Sequence, residues 1–203
     1  MKKILLAAFL LVFVPFAKAG AGDFPRISYG LEWGYTGTFL RSWQYNYICS
    51  EGYRIVDSDE AWRYFSNGIF LANAGLDLGD KLNVSVYAGL SGVYFRRWMI
   101  PLEARLRFCP SGLDTSGFIC YMGAGAMFPV SVLYKTNLGA KLGVGYRVSV
   151  FRNISVDFLL SAHFTTDHDQ ITDPDTKQLV PAQDITKNAA QYTAVCLSAA
   201  INF

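Results

Sequence analysis

Apolar side chains alternate with polar or small side chains over most of this chain, and a period of two is the pattern of a β-strand with one apolar face. In residues 102–108, four apolar side chains alternate with three charged ones, and residues 82–90 alternate with uncharged polar partners. Helical spacing is nearly absent, so we predict an all-β fold. Eight alternating segments are predicted as strands, at about 26–40, 68–78, 82–95, 99–108, 117–128, 134–148, 153–164 and 190–203.

The N-terminus has the features of a secretory signal peptide. Lys2 and Lys3 precede an apolar stretch over 4–16, and Ala17-Lys18-Ala19 provides the small residues that signal peptidase accepts. The apolar stretch is shorter than the ~20 residues of a spanning helix. We therefore predict that residues 1–19 are a signal peptide and that residues 20–203 form one domain; cleavage after Ala21 fits nearly as well.

The net charge changes once this segment is set aside. The whole chain carries 18 basic and 16 acidic residues, for a formal net charge of +2. Removing the three lysines of the predicted signal leaves 15 basic residues against 16 acidic ones, a net charge of −1. This balance lacks the basic excess of nucleic-acid-binding domains. The hydrophobic content of 52% and the aromatic content of 15% exclude an intrinsically disordered chain.

A soluble β-sandwich also alternates, but two features favour an eight-stranded antiparallel transmembrane β-barrel with an up-and-down meander. Aromatic residues gather near strand ends, as they do where a barrel crosses the membrane interfaces. The links at 41–67 and 165–189 are long, as external loops are, whereas most other links are short. The aromatic residues at strand ends are Tyr29, Trp33, Tyr35, Tyr94, Trp98, Phe108, Phe118, Phe128, Tyr146 and Phe164.

The polar face of the predicted strands carries balanced charge. Buried charges are costly unless they pair, so we expect ion pairs across a small lumen. Eight strands leave an interior that side chains just fill, and we predict a plugged lumen. The predicted lumen charge network consists of Glu32, Asp77, Glu103, Arg105, Arg107, Lys141, Arg147 and Asp157.

One window permits a different structure. Residues 115–134 contain no charge, and twenty uncharged residues are enough for a transmembrane helix. Three glycines at 117, 123 and 125 and Pro129 disfavour a helix there. We therefore predict a strand in this window.

With its signal peptide, eight alternating segments and aromatic C-terminus, the chain resembles small bacterial outer-membrane β-barrel proteins. Residues 100–108, which read IPLEARLRF, are similar to a strand of PorT-like barrel domains, and the architecture is OmpX-like or OmpW-like. The resemblance implies a location in the outer membrane of a Gram-negative cell, in contact with its lipid. It also implies that the barrel assembly machinery recognises the last strand through Val195, Leu197, Ala199, Ile201 and Phe203.

The four cysteines reach an oxidising compartment after export. Cys109 and Cys120 flank one predicted link on adjacent strands, so a disulfide between them is compatible with the sequence if their Cα atoms lie within ~7 Å. Two unpaired thiols are the alternative. Cys49 and Cys196 lie in the first long loop and in the last strand.

Residues 161–169 contain the side chains that could bind a metal ion or act in catalysis: one serine, two histidines and two aspartates. His163 and His168 bracket Asp167, with Asp169 next, and a metal site there is conceivable, but a solvated acidic loop explains these residues better. Ser161 and His163 share the inward face of a strand at about 7 Å, too far for a direct hydrogen bond. We predict no metal, no cofactor and no catalytic residue.

We therefore expect a structural or surface-interaction role through the loops at 41–67 and 165–189. The first loop is rich in tyrosine and tryptophan, which suits contact with polysaccharide, protein or lipid headgroups. The alternative is that these rings fold back over the barrel mouth. A narrow pore for small solutes is the second functional hypothesis, and a lipid A-modifying barrel enzyme is the third. The aromatic residues concerned are Trp43, Tyr45, Tyr47, Tyr53, Trp62 and Tyr64.

Overall fold

Each strand pairs with the next one along the chain, and the last strand returns to the first. The computed structural model describes residues 25–94, 97–130, 135–151 and 154–203; the predicted signal peptide lies outside this range. Within these residues, eight antiparallel strands form a closed barrel in the order β1 to β8. The strands are β1 Arg26–Ile48, β2 Arg54–Asp77, β3 Leu82–Tyr94, β4 Arg97–Phe108, β5 Gly117–Pro129, β6 Asn137–Phe151, β7 Ile154–Asp167 and β8 Ile185–Asn202.

Closure of the sheet confirms the predicted barrel and rules out the β-sandwich. The β1–β8 pairing runs from Gly30 opposite Asn202 to Tyr47 opposite Ile185. A closed barrel pairs the backbone N–H and C=O groups of every spanning strand, which a lipid environment requires because it provides no water to pair them. Following the predicted orientation, we call the end with both termini the periplasmic end and the opposite end the outer end.

The outward face of the barrel is apolar and the inward face is polar. Trp33, Phe70, Leu102, Leu142 and Phe158 are each 45–57% exposed on the outside. An apolar surface that surrounds a closed barrel is suited to lipid and would be unfavourable in water. The chain is therefore a transmembrane β-barrel of the outer-membrane type.

Residues 115–134, the window with helical potential, contain strand β5. Gly123 and Gly125 lie opposite Arg105 and Glu103 of β4, in the middle of the sheet. Among the residues that the structure describes, no helix is long and apolar enough to cross a membrane.

The prediction of a long first loop at 41–67 was wrong. β1 continues to Ile48 and β2 begins at Arg54, so a turn of five residues joins two long strands. β8 also continues along β1 beyond the barrel, as far as Ile185. The outward face of this part of the sheet mixes polar side chains such as Ser42 and Ser58 with exposed apolar ones such as Val56 and Trp62, so it lacks the continuous apolar face that identified the other strands. The second predicted loop, 165–189, is shortened to residues 168–184.

Candidate functional site

The middle of the lumen is closed by two acids and two bases. Arg105 donates to Glu32 Oε2 at 2.6 Å and to Glu103 Oε1 at 2.6 and 3.1 Å. Lys141 Nζ lies 2.7 Å from Glu103 Oε2, and Ser198 donates to Glu32 Oε1 at 2.8 Å. The four charged side chains are at most 4% exposed. The cluster is neutral as a whole, which is how such charges are tolerated when buried.

Two aromatic rings hold the central guanidinium in place. The Arg105 guanidinium carbon lies 3.7 Å from the centroid of the Tyr87 ring and 4.5 Å from that of Tyr121. The Tyr121 ring lies over Gly143 of β6, where a Cβ atom would meet ring atoms at 2.4 Å. Glycine at this position therefore makes room for the ring that packs on Arg105.

A second cluster fills the lumen nearer the periplasmic end. Arg147 donates to both carboxylate oxygens of Asp157, at 2.7 and 2.8 Å, and Arg107 lies 3.2 Å from the same carboxylate. Arg147 also donates to the carbonyl of Leu113 at 2.7 Å. Leu113 is buried in the link between β4 and β5, so this link, long for a periplasmic turn, folds into the barrel end.

Seven of the eight predicted lumen charges lie in these two clusters. The eighth, Asp77, lies at the periplasmic mouth, where it accepts from Asn83 Nδ2 at 2.7 Å and is 3.9 Å from Arg26. Arg26 was not among the predicted residues, although it begins the first predicted strand. Alternation located the inward charges but did not indicate which acid pairs with which base.

A third cluster closes the outer end, and the sequence analysis missed it. Asp169 accepts hydrogen bonds from Arg41 and Tyr45 at 2.6 Å each and from Tyr192 at 3.0 Å. Arg97 bridges Asp167 and Asp169. Burial raises the pKa of Asp169, but the hydrogen bonds from Tyr45 and Arg41 and the nearby Arg97 together lower it by more, so the pKa lies below its usual range. The only sequence indication of this cluster was that the large side chains at 41, 43 and 45 alternate with the smaller polar ones at 42, 44 and 46, within the segment interpreted as a loop.

The 168–184 loop is attached to the tip of the β1–β2 hairpin. Asp173 accepts from the backbone N–H of Ser50 at 2.7 Å, and its other oxygen accepts from the backbone N–H of Asp175 at 2.9 Å. Hydrogen bonds from backbone N–H groups lower the pKa of Asp173 to about 2. Ile171 and Val180 of the loop pack with the buried Tyr47. The loop thus covers the inner side of the hairpin and the outer mouth.

The aromatic residues predicted in the first loop divide between two positions. Trp43 packs at the outer mouth, where its Nε1 donates to Asp57 at 3.0 Å, and Tyr45 and Tyr47 lie on the same inner side. Trp62, by contrast, is 78% exposed. Folding back over the barrel mouth therefore holds for Trp43, Tyr45 and Tyr47, whereas surface contact through the exposed rings stays a prediction. The remaining two, Tyr53 and Tyr64, are 48% and 57% exposed.

The outer part of β2 has an unpaired edge. Pairing of β2 with β3 begins only at Ile69, opposite Ser91, whereas pairing with β1 continues to Arg54. Within the described part of the chain, residues 54–64 therefore have a strand partner on one side only, whereas Phe65 packs against Tyr94 of β3. Unpaired edges present free N–H and C=O groups to any other extended chain.

The Ser161–His163 pair is closer than the sequence suggested. Ser161 Oγ lies 2.9 Å from His163 Nε2, so the prediction that the two side chains are out of reach was wrong. Side chains on one strand face lean along the strand and can cover the 7 Å between alternate residues. Both residues are buried, and the charged groups near the ring are the cations Lys141 and Arg105. A lipid substrate would have no access to this pair.

Of the two alternatives left open for Cys109 and Cys120, the structure has the unpaired thiols, and all four cysteines are free. Cys120 lies opposite Phe108 in the β4–β5 register and contacts its carbonyl from the outward face. Cys109 is buried with Leu113 at the periplasmic end. Cys109 is one residue beyond Phe108, the partner of Cys120, and neighbouring residues of a strand point to opposite faces, so the two thiols lie on opposite faces of the sheet.

The two histidines lie apart. His163 faces the lumen, whereas His168 Nδ1 lies 2.9 Å from Asn137 Oδ1 at the outer end. In the described residues, no group of three or more histidine, cysteine, aspartate or glutamate side chains is arranged to hold a metal ion.

The residues of the predicted assembly signal lie along the outward face of β8. Val195, Leu197 and Phe203 are 40–62% exposed there, with Ala199 and Ile201 between them. The backbone N–H of Phe203 donates to Tyr29 at 2.8 Å, which places the last residue at the β1–β8 seam. Recognition by the assembly machinery stays a prediction.

Comparisons with known proteins support the fold. No family model matches the chain, and no curated protein matches its sequence. Among solved structures, Neisserial surface protein A has 12% sequence identity and a TM-score of 0.50, over 89% of this chain and 98% of that chain. The outer membrane protein AlkL has 9% identity and a TM-score of 0.48, over 92% and 94% of the two chains.

A third similar structure is Ail, the attachment invasion locus protein of Yersinia pestis, in complex with the heparin analogue sucrose octasulfate. It has 10% identity and a TM-score of 0.39, over 88% of this chain and 99% of that chain. Of the three, only Neisserial surface protein A reaches a TM-score of 0.50, and at 12% identity it is evidence for the fold alone. The chain therefore has the fold of a small outer-membrane β-barrel, in agreement with the resemblance drawn from its sequence.

Proposed function

We propose that this protein is a closed outer-membrane barrel that binds an extended segment of a partner protein at its outer end. The β1–β2 hairpin provides the binding surface, and the barrel anchors it in the membrane. The single observation that carries the proposal is the unpaired edge of β2 over residues 54–64, with Trp62 exposed on it.

The ion pairs across the lumen support an anchoring role in preference to a pore. Glu32, Glu103, Arg105 and Lys141 pair across the middle of the barrel and leave no unpaired charge to attract an ion. The outer mouth is covered by the 168–184 loop, which Asp169 connects to Arg41. Several ion pairs would have to break before a solute crossed the lumen.

A free edge and exposed apolar side chains favour binding by strand addition. In that mode, backbone hydrogen bonds provide affinity and the side chains of alternate residues provide specificity. Val56 is 69% exposed and Trp62 is 78% exposed on the hairpin. Tryptophan is frequent among the residues that dominate binding energy, so Trp62 is the expected anchor.

The charges on this edge indicate the partner's chemistry. Asp57, Asp59 and Glu60 outnumber Arg54 and Arg63 over residues 54–64. Complementary charge guides association and disfavours wrong partners. We infer that the partner segment is extended and carries basic side chains between apolar ones.

The test is binding of a labelled peptide with alternating valine and lysine to the barrel in lipid nanodiscs, followed by fluorescence anisotropy. Trp62→Ala is expected to weaken binding about thirtyfold, the effect of losing a hot spot of about 2 kcal/mol. Asp59→Lys is expected to weaken it about fivefold at low ionic strength, since exposed charge pairs contribute up to about 1 kcal/mol. Added salt should reduce the second effect.

Asp114→Lys is the matched control, because it makes the same charge reversal on an exposed residue at the periplasmic end. Its affinity for the peptide should equal that of the unchanged protein. Equal affinities for Asp59→Lys and Asp114→Lys, together with no loss for Trp62→Ala, would refute the proposal.

Two steps of biogenesis complete the proposal. Residues 1–19 are removed as a signal peptide during export, and the last strand then directs insertion by the barrel assembly machinery. Phe203→Ser should reduce the amount of protein in outer-membrane fractions if that strand is recognised. Normal amounts of membrane-inserted Phe203→Ser protein would contradict this step.

A further inference from the structure

The outward face of the sheet above the apolar band carries two rows of polar side chains. In the register of β1, Ser42 lies opposite Glu60 of β2 and Gln191 of β8, and Gln44 lies opposite Ser58 and Ala189. Thr166 of β7 lies opposite Gln191 and extends the first row. These outward side chains line a groove of about 860 Å³, whose wall also includes Trp43, Asp59, Asp167, His168, Ala189 and Ala190. We call it the rim groove and define it by the outward side chains of Ser42, Gln44, Ser58, Glu60, Thr166 and Gln191.

The rim groove lies at the level of the lipid headgroups. The row next to it, toward the membrane, contains Leu40 opposite Trp62 and Thr193, and Thr193 lies opposite Phe164. Trp62 and Phe164 point outward and mark the upper border of the apolar band. Aromatic residues of this kind lie at the membrane–water interface. The groove is thus continuous with the lipid-contacting surface and faces the headgroups beside the barrel.

The groove offers mainly uncharged hydrogen-bonding groups. Within the described residues, the side chains of Ser42, Ser58 and Gln191 make no hydrogen bond to the protein; Ser58 and Gln191 are exposed and Ser42 is half-buried. Lys187, a nearby cation, donates to Gln44 Oε1 at 2.5 Å. Glu60 adds a negative charge, which disfavours a phosphate. Hydroxyl and amide groups that both donate and accept are complementary to the hydroxyl groups of a sugar.

From this position and chemistry, we infer that the rim groove binds the saccharide headgroup of a glycolipid in the surrounding leaflet. The inference uses the outward side chains of Ser58 and Glu60, which lie on the same stretch of β2 as the proposed peptide-binding edge, but it does not depend on the unpaired backbone of that edge. It requires only that the barrel spans the membrane with Trp62 and Phe164 at the interface. A failed peptide-binding experiment would therefore leave the glycolipid inference intact, and a failed galactolipid experiment would leave the peptide-binding proposal intact.

The test uses the full barrel in phosphatidylcholine vesicles that contain one added lipid: monogalactosyl diacylglycerol, phosphatidylglycerol or phosphatidylethanolamine. After extraction in mild detergent, native mass spectrometry counts the lipids that stay bound. The galactolipid should be retained in preference to the other two. Gln191→Leu and Ser58→Leu should each reduce its retention about fivefold, the effect expected for one lost hydrogen-bonding side chain.

Gln183→Leu is the matched control, because it makes the same change on an exposed residue of the 168–184 loop, outside the groove. Its retention of galactolipid should equal that of the unchanged protein. Preferential retention of phosphatidylglycerol would show an anionic headgroup site, and preferential retention of phosphatidylethanolamine would show a cation site at Glu60. Either result would overturn the inference, as would galactolipid retention that both groove variants leave unchanged.

Discussion

Arg105→Met removes the central cation of the lumen while keeping most of the side-chain volume. In the native barrel, this guanidinium contacts Glu32 and Glu103 and lies between two tyrosine rings. Removing one partner of a buried ion pair costs about 3–5 kcal/mol, because the other charge stays buried. Glu103 keeps Lys141 at 2.7 Å, so Glu32 carries most of the penalty. We expect the free energy of unfolding to fall by about 4 kcal/mol.

Urea unfolding of the barrel in phospholipid vesicles measures this change, with tryptophan fluorescence and the gel mobility of unheated samples as two readouts. Adding Glu32→Gln to Arg105→Met should restore about 2 kcal/mol, because the second change removes the unpaired carboxylate. Arg63→Met on the exposed hairpin is the control and should stay within about 0.5 kcal/mol of the unchanged protein. An Arg105→Met barrel as stable as this control, or a double variant less stable than Arg105→Met, would refute the reasoning.

Three further predictions concern other parts of the barrel. Asp169→Asn should speed proteolysis within the 168–184 loop of the folded barrel. Because the pKa of Asp169 is lowered in the folded state, the stability that its carboxylate gives the loop is present above the unfolded pKa of about 3.9 and is lost as the pH falls below that value. The unchanged protein should therefore show the same sensitivity to protease only in acid. Cys109 and Cys120 should both react with a maleimide after the protein is unfolded without reductant. A lack of labelling, with a protein mass lower than that of the dithiol by two hydrogen atoms, would show a disulfide instead. Gly143→Ala should destabilise the barrel by about 1–3 kcal/mol in urea unfolding, since the new methyl group meets the Tyr121 ring; unchanged stability would show that the ring is free to move.

The inward charges were predictable because a barrel strand alternates strictly. Once Leu102, Ala104 and Leu106 are assigned to the lipid side, Glu103 and Arg105 must face the lumen. The pairing of Arg105 with Glu32 was not predictable, because it joins β4 to β1 across the lumen and depends on the stagger of the strands. Alternation fixes the direction of a side chain but leaves open its height relative to a distant strand.

The outer end was poorly predicted for a different physical reason. Above the membrane, both faces of a strand contact water or protein, so the alternation of apolar and polar residues loses its meaning. Arg41, Trp43 and Tyr45 therefore looked like part of a polar loop, although they line the inner face of β1. Asp169 belongs to a true loop, and nothing local in the sequence indicates that its partners come from β1, β4 and β8.

Register decides between the two alternatives that the sequence left open for Cys109 and Cys120. The sequence shows only that the two residues flank one link, and the length of the link leaves open which residues face each other. In the barrel, Cys120 lies opposite Phe108, so Cys109 faces the other side of the sheet. One residue of register decides between a disulfide and two separate thiols.

Conductance of the purified, refolded barrel in planar lipid bilayers tests the closed lumen most directly. The paired charges around Arg105 and the cover formed by the 168–184 loop predict a silent bilayer, with no single-channel steps at either polarity. Inserted protein is verified in the same preparation by its anomalous gel mobility before heating. Stable, reproducible conductance steps from the folded protein would contradict the plugged lumen and favour the narrow pore.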